Sequence, residues 1–241
     1  GKGVSNRHSN LTAEMVRHAG CSVDIGREGC SMGPWSVSGE DSYSVPGDAS
    51  MASFAVLAAF CLSSEIQLKG WPERENAIGH EILQESAIEY GIKWSPGCLK
   101  LSGGADFTHL DVTDSNDILP PMAALLALGG GGKITGAAHA AHKESNRLTR
   151  TVELLEHFGL KAELLSDGIE VEGNQVPKKP SVPVPTFEDH RLFMTAVLLA
   201  SKTGGEIIGQ KLHHVADEGF IQRLQDAGID IESVQIPSLE D

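Results

Sequence analysis

The sequence repeats itself with a period too long for a solenoid, and this limits the folds open to it. Four glycines, Gly20, Gly91, Gly159 and Gly228, each close a short helical pattern at intervals of about 70 residues. The stretches around them match: MVRHAGCSVDI, AIEYGIKW, LLEHFGLKAEL and LQDAGIDIE. In each, a glycine ends the helix where the chain turns through positive φ, and an alternating apolar strand is expected next. A second set of matching stretches precedes three of these: GDASMASFAVLAAFCLSSEIQLKG, NDILPPMAALLALGGGGKITG and EDHRLFMTAVLLASKTGGEIIG. Each opens near an aspartate (Asp48, Asp117, Asp189), runs through a nearly all-apolar helix and ends in a short strand. A helix apolar on every side is buried. The pattern predicts an α/β protein of three βαβαββ units, each with one buried and one half-exposed helix, around a shared interior. Residues 1–46 match only the second half of such a unit. A boundary is therefore expected at 44–50, SVPGDAS, leaving residues 1–46 as a remnant of one domain and 47–241 as another. VPKKPSVPVP, residues 176–185, reads as an extended connector.

Composition narrows the function. Apolar residues at 40% and charged residues at 22% are ordinary for a globular chain. The longest apolar run, Met51 to Leu62, is too short for a membrane span, and GKGVSNRHSN lacks the apolar core of a signal peptide. Cys21, Cys30, Cys61 and Cys98 lie far apart, without metal-type spacing, and read as reduced thiols in a cytoplasmic protein. A net charge of −14 argues against a nucleic-acid backbone as partner. Against that charge, the cations of HKESNRLTRTVELLEHFG (142–159) stand out. Helix starts favour acids, yet Lys143, Arg147 and Arg150 gather here.

Several residues could carry chemistry, each beside a plainer reading. Lys143 and Arg147, spaced i, i+4, would face the same way as a phosphate or carboxylate clamp, or form a solvated surface. Glu144 could pair with either or act as acid or base. Asp117, with Asp111 and Asp114 nearby, is either a helix cap or a carboxylate whose pKa its neighbours raise for proton transfer. Asp48 and Asp189 read as caps. Arg191 opens a buried helix, where it needs a partner or a ligand. The GGGG run at 129–132 follows a helix and lacks a GK[ST] ending, so it reads as a C-cap and turn, not a phosphate loop. His18, His80, His109 and His157 read as structural. His213 and His214 are adjacent, so they point apart, and no metal site is expected.

Taken together, these stretches resemble the 5-enolpyruvylshikimate 3-phosphate (EPSP) synthase family. GDASMAS resembles its GDASSAS signature, HKESNRL its KE[ST]DRL, FEDHRLFM its YNDHRMAM, and VSNRHSNLTAEMVRHAG its VSKPYIDITLxLM, all in the family's order. The resemblance implies an inverse α/β barrel of repeated βαβαββ units. It also implies transfer of the enolpyruvyl group of phosphoenolpyruvate to the 5-hydroxyl of shikimate 3-phosphate, in aromatic amino-acid biosynthesis, with no metal or organic cofactor. Carried over by position, Ser5, Asp117 and Lys143 would bind shikimate 3-phosphate. Asp117 and Glu144 would be catalytic, and Glu144, Arg147 and Arg191 would meet phosphoenolpyruvate. The same fold serves UDP-N-acetylglucosamine enolpyruvyl transferase, but the KES-R and DHR motifs argue for the former. The resemblance covers roughly the family's C-terminal half, so an N-terminal half is the expected partner, and the lone chain is expected to self-associate. Three positions depart from the pattern: Asn146 for aspartate, His8 for tyrosine, and Val215 for a lysine near the C-terminus, with Lys211 offset by four. A catalytically degenerate domain that binds a phosphorylated metabolite or a protein is the alternative.

Overall fold

The computed structural model describes residues 6–26, 29–38, 42, 45, 47–71, 79–95, 97–209 and 211–234. The predicted βαβαββ unit is present in full between residues 108 and 172. It runs β6 (Thr108–Asp111), α3 (Leu119–Leu128), β7 (Gly131–Thr135), α4 (Arg147–His157), β8 (Ala162–Leu164) and β9 (Ile169–Glu172). The sheet order is β6-β7-β9-β8. β6 and β7 are parallel, joined across the buried α3, and β9 pairs antiparallel with both β7 and β8. The preceding unit repeats this with α2 (Ala52–Leu62), β3 (Ile66–Gln67), β4 (Ile92–Ser95) and β5 (Cys98–Leu101) in the order β3-β5-β4. Residues 6–32 carry a helix, α1 (Asn6–His18), and a hairpin of β1 (Val23–Gly26) with β2 (Gly29–Met32). That is the second half of the same pattern.

The interior is helical. Every residue of α3 is buried, as are most of α2 and of α5 (His190–Thr203), and these three helices pack on one another. The sheets lie outside them: α2 touches β3 and β5, and α3 touches β7 and β9. α4 is amphipathic and buries Leu148, Thr151, Leu154 and Leu155, a spacing that makes one helical stripe. So a pattern of helices inside and strands outside follows from which helices have no polar face.

Three expectations need correction. The half-exposed helix of the α2 unit is not α-helical: a π-turn segment (Glu81–Glu85) and a 3-10 helix (Ala87–Tyr90) stand there, divided at Ser86. Tyr90 OH donates to the Ile82 carbonyl, and Trp71 Nε1 to Gln84, which ties this segment by side chains. In the last unit α6 (Phe220–Asp226) is short, and no strand follows it among the described residues. The single parallel bridge Val184↔Ile207 is the only ladder described in that unit, so residues 229–234 meet no strand with which to pair. The glycine run is also more than a cap. Gly129 caps α3, but Gly131 and Gly132 are the start of β7, pressed between β6 and β9. A Cβ on Gly132 would stand 2.4 Å from the Thr108 carbonyl oxygen and 2.8 Å from Leu126 Cδ1. Gly132→Ala is therefore expected to destabilise the chain by about 1–3 kcal/mol in denaturant unfolding, a loss that a mere turn residue would not show.

Candidate functional site

The site forms where three helix starts meet. Asp48 accepts from Ser50 N at 2.8 Å and caps the turn that enters α2. Asp189 caps α5 by accepting from Arg191 N at 2.9 Å. Asp117 belongs to the 3-10 turn before α3 (Asn116–Ile118), whose capping position is Ser115, so its carboxylate does no capping. The cap reading thus holds for two of the three aspartates.

Asp117 instead collects cations. Arg147 NH1 donates to its Oδ1 at 2.5 Å, Lys143 Nζ lies 3.4 Å from the same oxygen, and Arg191 NH2 lies 3.6 Å from Oδ2. Arg191 NH1 also donates to the Asp117 main-chain oxygen at 3.2 Å, and NH2 to Ser50 Oγ at 3.4 Å. Arg147 is 1% exposed yet reaches three carboxylates. Nε donates to Asp189 Oδ2 at 2.8 Å, NH1 to Asp117, and NH2 to Glu144 Oε2 at 2.5 Å. Ser145 Oγ completes Asp189 by donating to Oδ2 at 2.9 Å. The proposed ligands Asp117, Lys143, Glu144, Arg147 and Arg191 are therefore neighbours, while Ser5 lies outside the described residues.

The route to this convergence differs from the spacing argument. Lys143 is not on α4: it follows the 3-10 helix Ala138–His142 in extended conformation. Asn146 begins α4 by accepting from Thr149 N, as an aspartate there would, so that departure keeps the cap hydrogen bond and gives up the charge. Only Arg147 and Arg150 are helical, and Arg150 does turn to the surface, pairing with Glu153 and stacking over Phe187. Val215 is exposed, at the end of the 3-10 helix Leu212–Val215.

The electrostatics reverse one expectation. Burial pushes the Asp117 carboxyl up, but Arg191, Arg147 and Lys143 outweigh it and hold it below the usual carboxylate range. Asp111 is lowered too, by its hydrogen bonds from Thr113, so crowded carboxylates do not raise one another here. Burial likewise works against Asp189, yet Arg147, the Arg191 N–H and Ser145 keep it ionised. Burial and Arg191 lower His190, which leaves its 3.9 Å approach to Glu144 uncharged at neutral pH. His139, bonded to Asn116, is lowered by burial and Lys143. Arg191 Nε is buried with no hydrogen-bond partner among the described residues. Sequence reasoning missed Ser50, His139, Ser145 and the pairing role of Asp189. No signal couples residues 42 positions apart, though a buried-helix arginine did ask for a partner.

The EPSP synthase (3-phosphoshikimate 1-carboxyvinyltransferase) family matches residues 2–224. The chain belongs to this family. The 3-phosphoshikimate 1-carboxyvinyltransferase of Thermococcus kodakarensis is 31% identical over 209 residues, covering 85% of this chain and 51% of that protein. The Gluconobacter oxydans protein of the same name is 31% identical over 234 residues, covering 88% and 50%. The chain thus spans about half the length of these curated relatives. An EPSP synthase structure from Acinetobacter baumannii superposes with TM-score 0.74 at 22% identity, covering 93% of this chain and 55% of that one. The enolpyruvyl transferase NikO from Streptomyces tendae gives 0.68 at 17%, covering 92% and 53%. These confirm the enolpyruvyl-transferase architecture of repeated units expected above.

Two outcomes follow from the geometry. Arg147→Ala would leave Asp189 buried and uncompensated, costing about 3–5 kcal/mol, whereas Arg150→Ala at the surface should cost about 1 kcal/mol or less in the same unfolding titration. Asp189 and Asp117 both bind a proton less readily folded than unfolded. Their contribution is full above the ordinary carboxylate range and is lost as pH falls through and below it. Thermal midpoints measured from about pH 7 to about pH 3 should drop, and drop less in Asp189→Asn.

Proposed function

We propose that this chain carries the C-terminal part of the site of a 3-phosphoshikimate 1-carboxyvinyltransferase. That enzyme moves the enolpyruvyl group of phosphoenolpyruvate to the 5-hydroxyl of shikimate 3-phosphate and releases phosphate. The observation that supports this most directly is the convergence of Lys143, Arg147 and Arg191 on Asp117, in motifs of the EPSP synthase family. Both substrates are anionic, and holding them in register supplies much of the rate. In this reading Lys143 and Ser5 bind shikimate 3-phosphate, and Arg147 and Arg191 bind phosphoenolpyruvate. Asp117, kept ionised by its cations, orients the ring hydroxyls of shikimate 3-phosphate and accepts the 5-hydroxyl proton as that oxygen bonds to the enol carbon. Glu144, nearly half exposed beside Arg147, delivers a proton to the methylene carbon and takes one back as phosphate departs.

Among the described residues, the three cations Lys143, Arg147 and Arg191 already face the carboxylates of Asp117, Glu144 and Asp189. Two phosphorylated substrates need more positive charge than that, particularly in a chain of net charge −14. We therefore assign the extra cations to the half of the relatives' length that this sequence does not span, with residues 1–46 as the end of an N-terminal-type domain and 47–241 as a C-terminal-type domain. A second reading, a degenerate domain of the same fold that binds a phosphorylated metabolite or a protein, is favoured by exposed Val215 at the family's lysine position.

Phosphate release from the two substrates, measured with this chain alone and with the complementary half added, separates these readings. Activity in the mixture supports the enzyme; silence in a mixture shown to assemble supports the degenerate domain. In an active mixture, Lys143→Ala is expected to weaken shikimate 3-phosphate binding about tenfold to a hundredfold, the loss of one charge-assisted contact of about 1.5–3 kcal/mol.

A further inference from the structure

We propose that Asp189 is the positioning residue of this site: it anchors Arg147 by the Nε edge of the guanidinium, leaving the NH1–NH2 edge to exchange its carboxylate partners for an incoming anion. The proposal rests on the anion-site reading above and adds a residue to which that reading gives no role.

The two edges of Arg147 differ in what they meet. Nε faces Asp189, which is fully buried and takes part in four contacts at once. Oδ2 accepts from Arg147 Nε at 2.8 Å and Ser145 Oγ at 2.9 Å; Oδ1 accepts from Arg191 N at 2.9 Å and, more distantly, Arg147 NH2 at 3.4 Å. Asp189 is fully buried, so losing its Arg147 partner would leave a buried charge without a counter-ion. The other edge meets Asp117 and Glu144, whose side chains are 29% and 47% exposed. Partners that are already partly hydrated can be displaced at far less cost. A guanidinium held along one edge keeps a fixed fork on the other, the geometry that suits a bidentate carboxylate or phosphate. Asp189 also fixes the first turn of α5 by its bond to Arg191 N, so one carboxylate sets the origin of both arginine side chains.

The chain bends at some cost to place this residue. Phe187 and Glu188 both have left-handed backbone, at φ 53° and 60°, although neither is glycine. Such conformations persist only where surrounding contacts enforce them. Here Thr186 Oγ1 donates to the Ile208 carbonyl at 2.5 Å, Asp189 N donates to the Thr186 carbonyl at 2.9 Å, and Arg150 lies 4.0 Å over the Phe187 ring.

The test combines nitrogen-15 NMR of the chain with phosphoenolpyruvate titration of the chain assembled with the complementary half. Asp189→Asn keeps the size and capping ability of the side chain and removes its charge. The Arg147 Nε–H signal, assigned through Arg147→Lys, should exchange with water at least tenfold faster in Asp189→Asn and remain unchanged in Glu144→Gln. Phosphoenolpyruvate affinity should fall at least tenfold in Asp189→Asn, although residue 189 is fully buried. Unchanged Nε–H exchange overturns the proposal, and so does faster exchange with unchanged affinity. If the wild-type chain, shown to assemble with the complementary half, binds no phosphoenolpyruvate, the functional reading fails by itself, and the exchange arm alone decides whether Asp189 anchors Arg147. Should Asp189→Asn not fold, Ser145→Ala replaces it: exchange accelerated threefold or more supports the anchor, and no change overturns it.

Discussion

The buried contact between Arg147 and Asp189 is the interaction on which the rest of the site depends. It joins the start of α4 in one unit to the start of α5 in the next, and through Asp117 it reaches the start of α3. Arg191 extends the same network to Ser50, at the entry to α2. α2 and α3 are apolar over nearly all their length, so apolar packing alone does little to fix their position along the helix axis. Charged groups at the helix starts, satisfied only in one register, remove that freedom.

A fold with helices inside and strands outside makes this arrangement possible. The apolar faces are used up between helices and sheets, and the polar residues of the central helices gather at their starts. There, main-chain N–H groups and buried arginines meet carboxylates that range from the fully buried Asp189 to the half-exposed Glu144. The same setting accounts for the shifts. Burial alone would raise the carboxyls of Asp117 and Asp189; the cations and hydrogen-bond donors around them reverse that and hold both below the usual carboxylate range. Arg191 is the least compensated member, with a buried Nε that finds no partner among the described residues.

Much of the fold was legible in the sequence because its signals are periodic. The nearly all-apolar stretches 52–62 and 119–128, and the apolar run 192–200 broken only by Thr195, announced the buried helices, and the recurring glycines marked the helix ends. Where the local pattern weakened, the expectation failed. Residues 81–90 split into two non-α segments, and 229–234 form no strand, since a strand exists only with a partner in place. The site was legible by kind but not by geometry. Lys143 and Arg147 do converge, although the supposed i, i+4 helical relation does not exist; a 3-10 turn and an extended residue bring Lys143 in instead. The raised carboxylate pKa failed because the sequence places Asp111 and Asp114 near Asp117 in the chain and says nothing of the three cations that the fold brings closer. Asp189 looked like a cap and is one, but its second function depends on a contact that no local pattern encodes.

The central claim, that Arg147 and Asp189 act as one buried unit, is tested most directly by a double-mutant cycle in equilibrium unfolding with Arg147→Met and Asp189→Leu. The account predicts that each single substitution destabilises by several kcal/mol, about 3–5 for the member left unpaired, while the double variant loses much less than their sum. Additive losses, within about 0.5 kcal/mol of the sum, would contradict it.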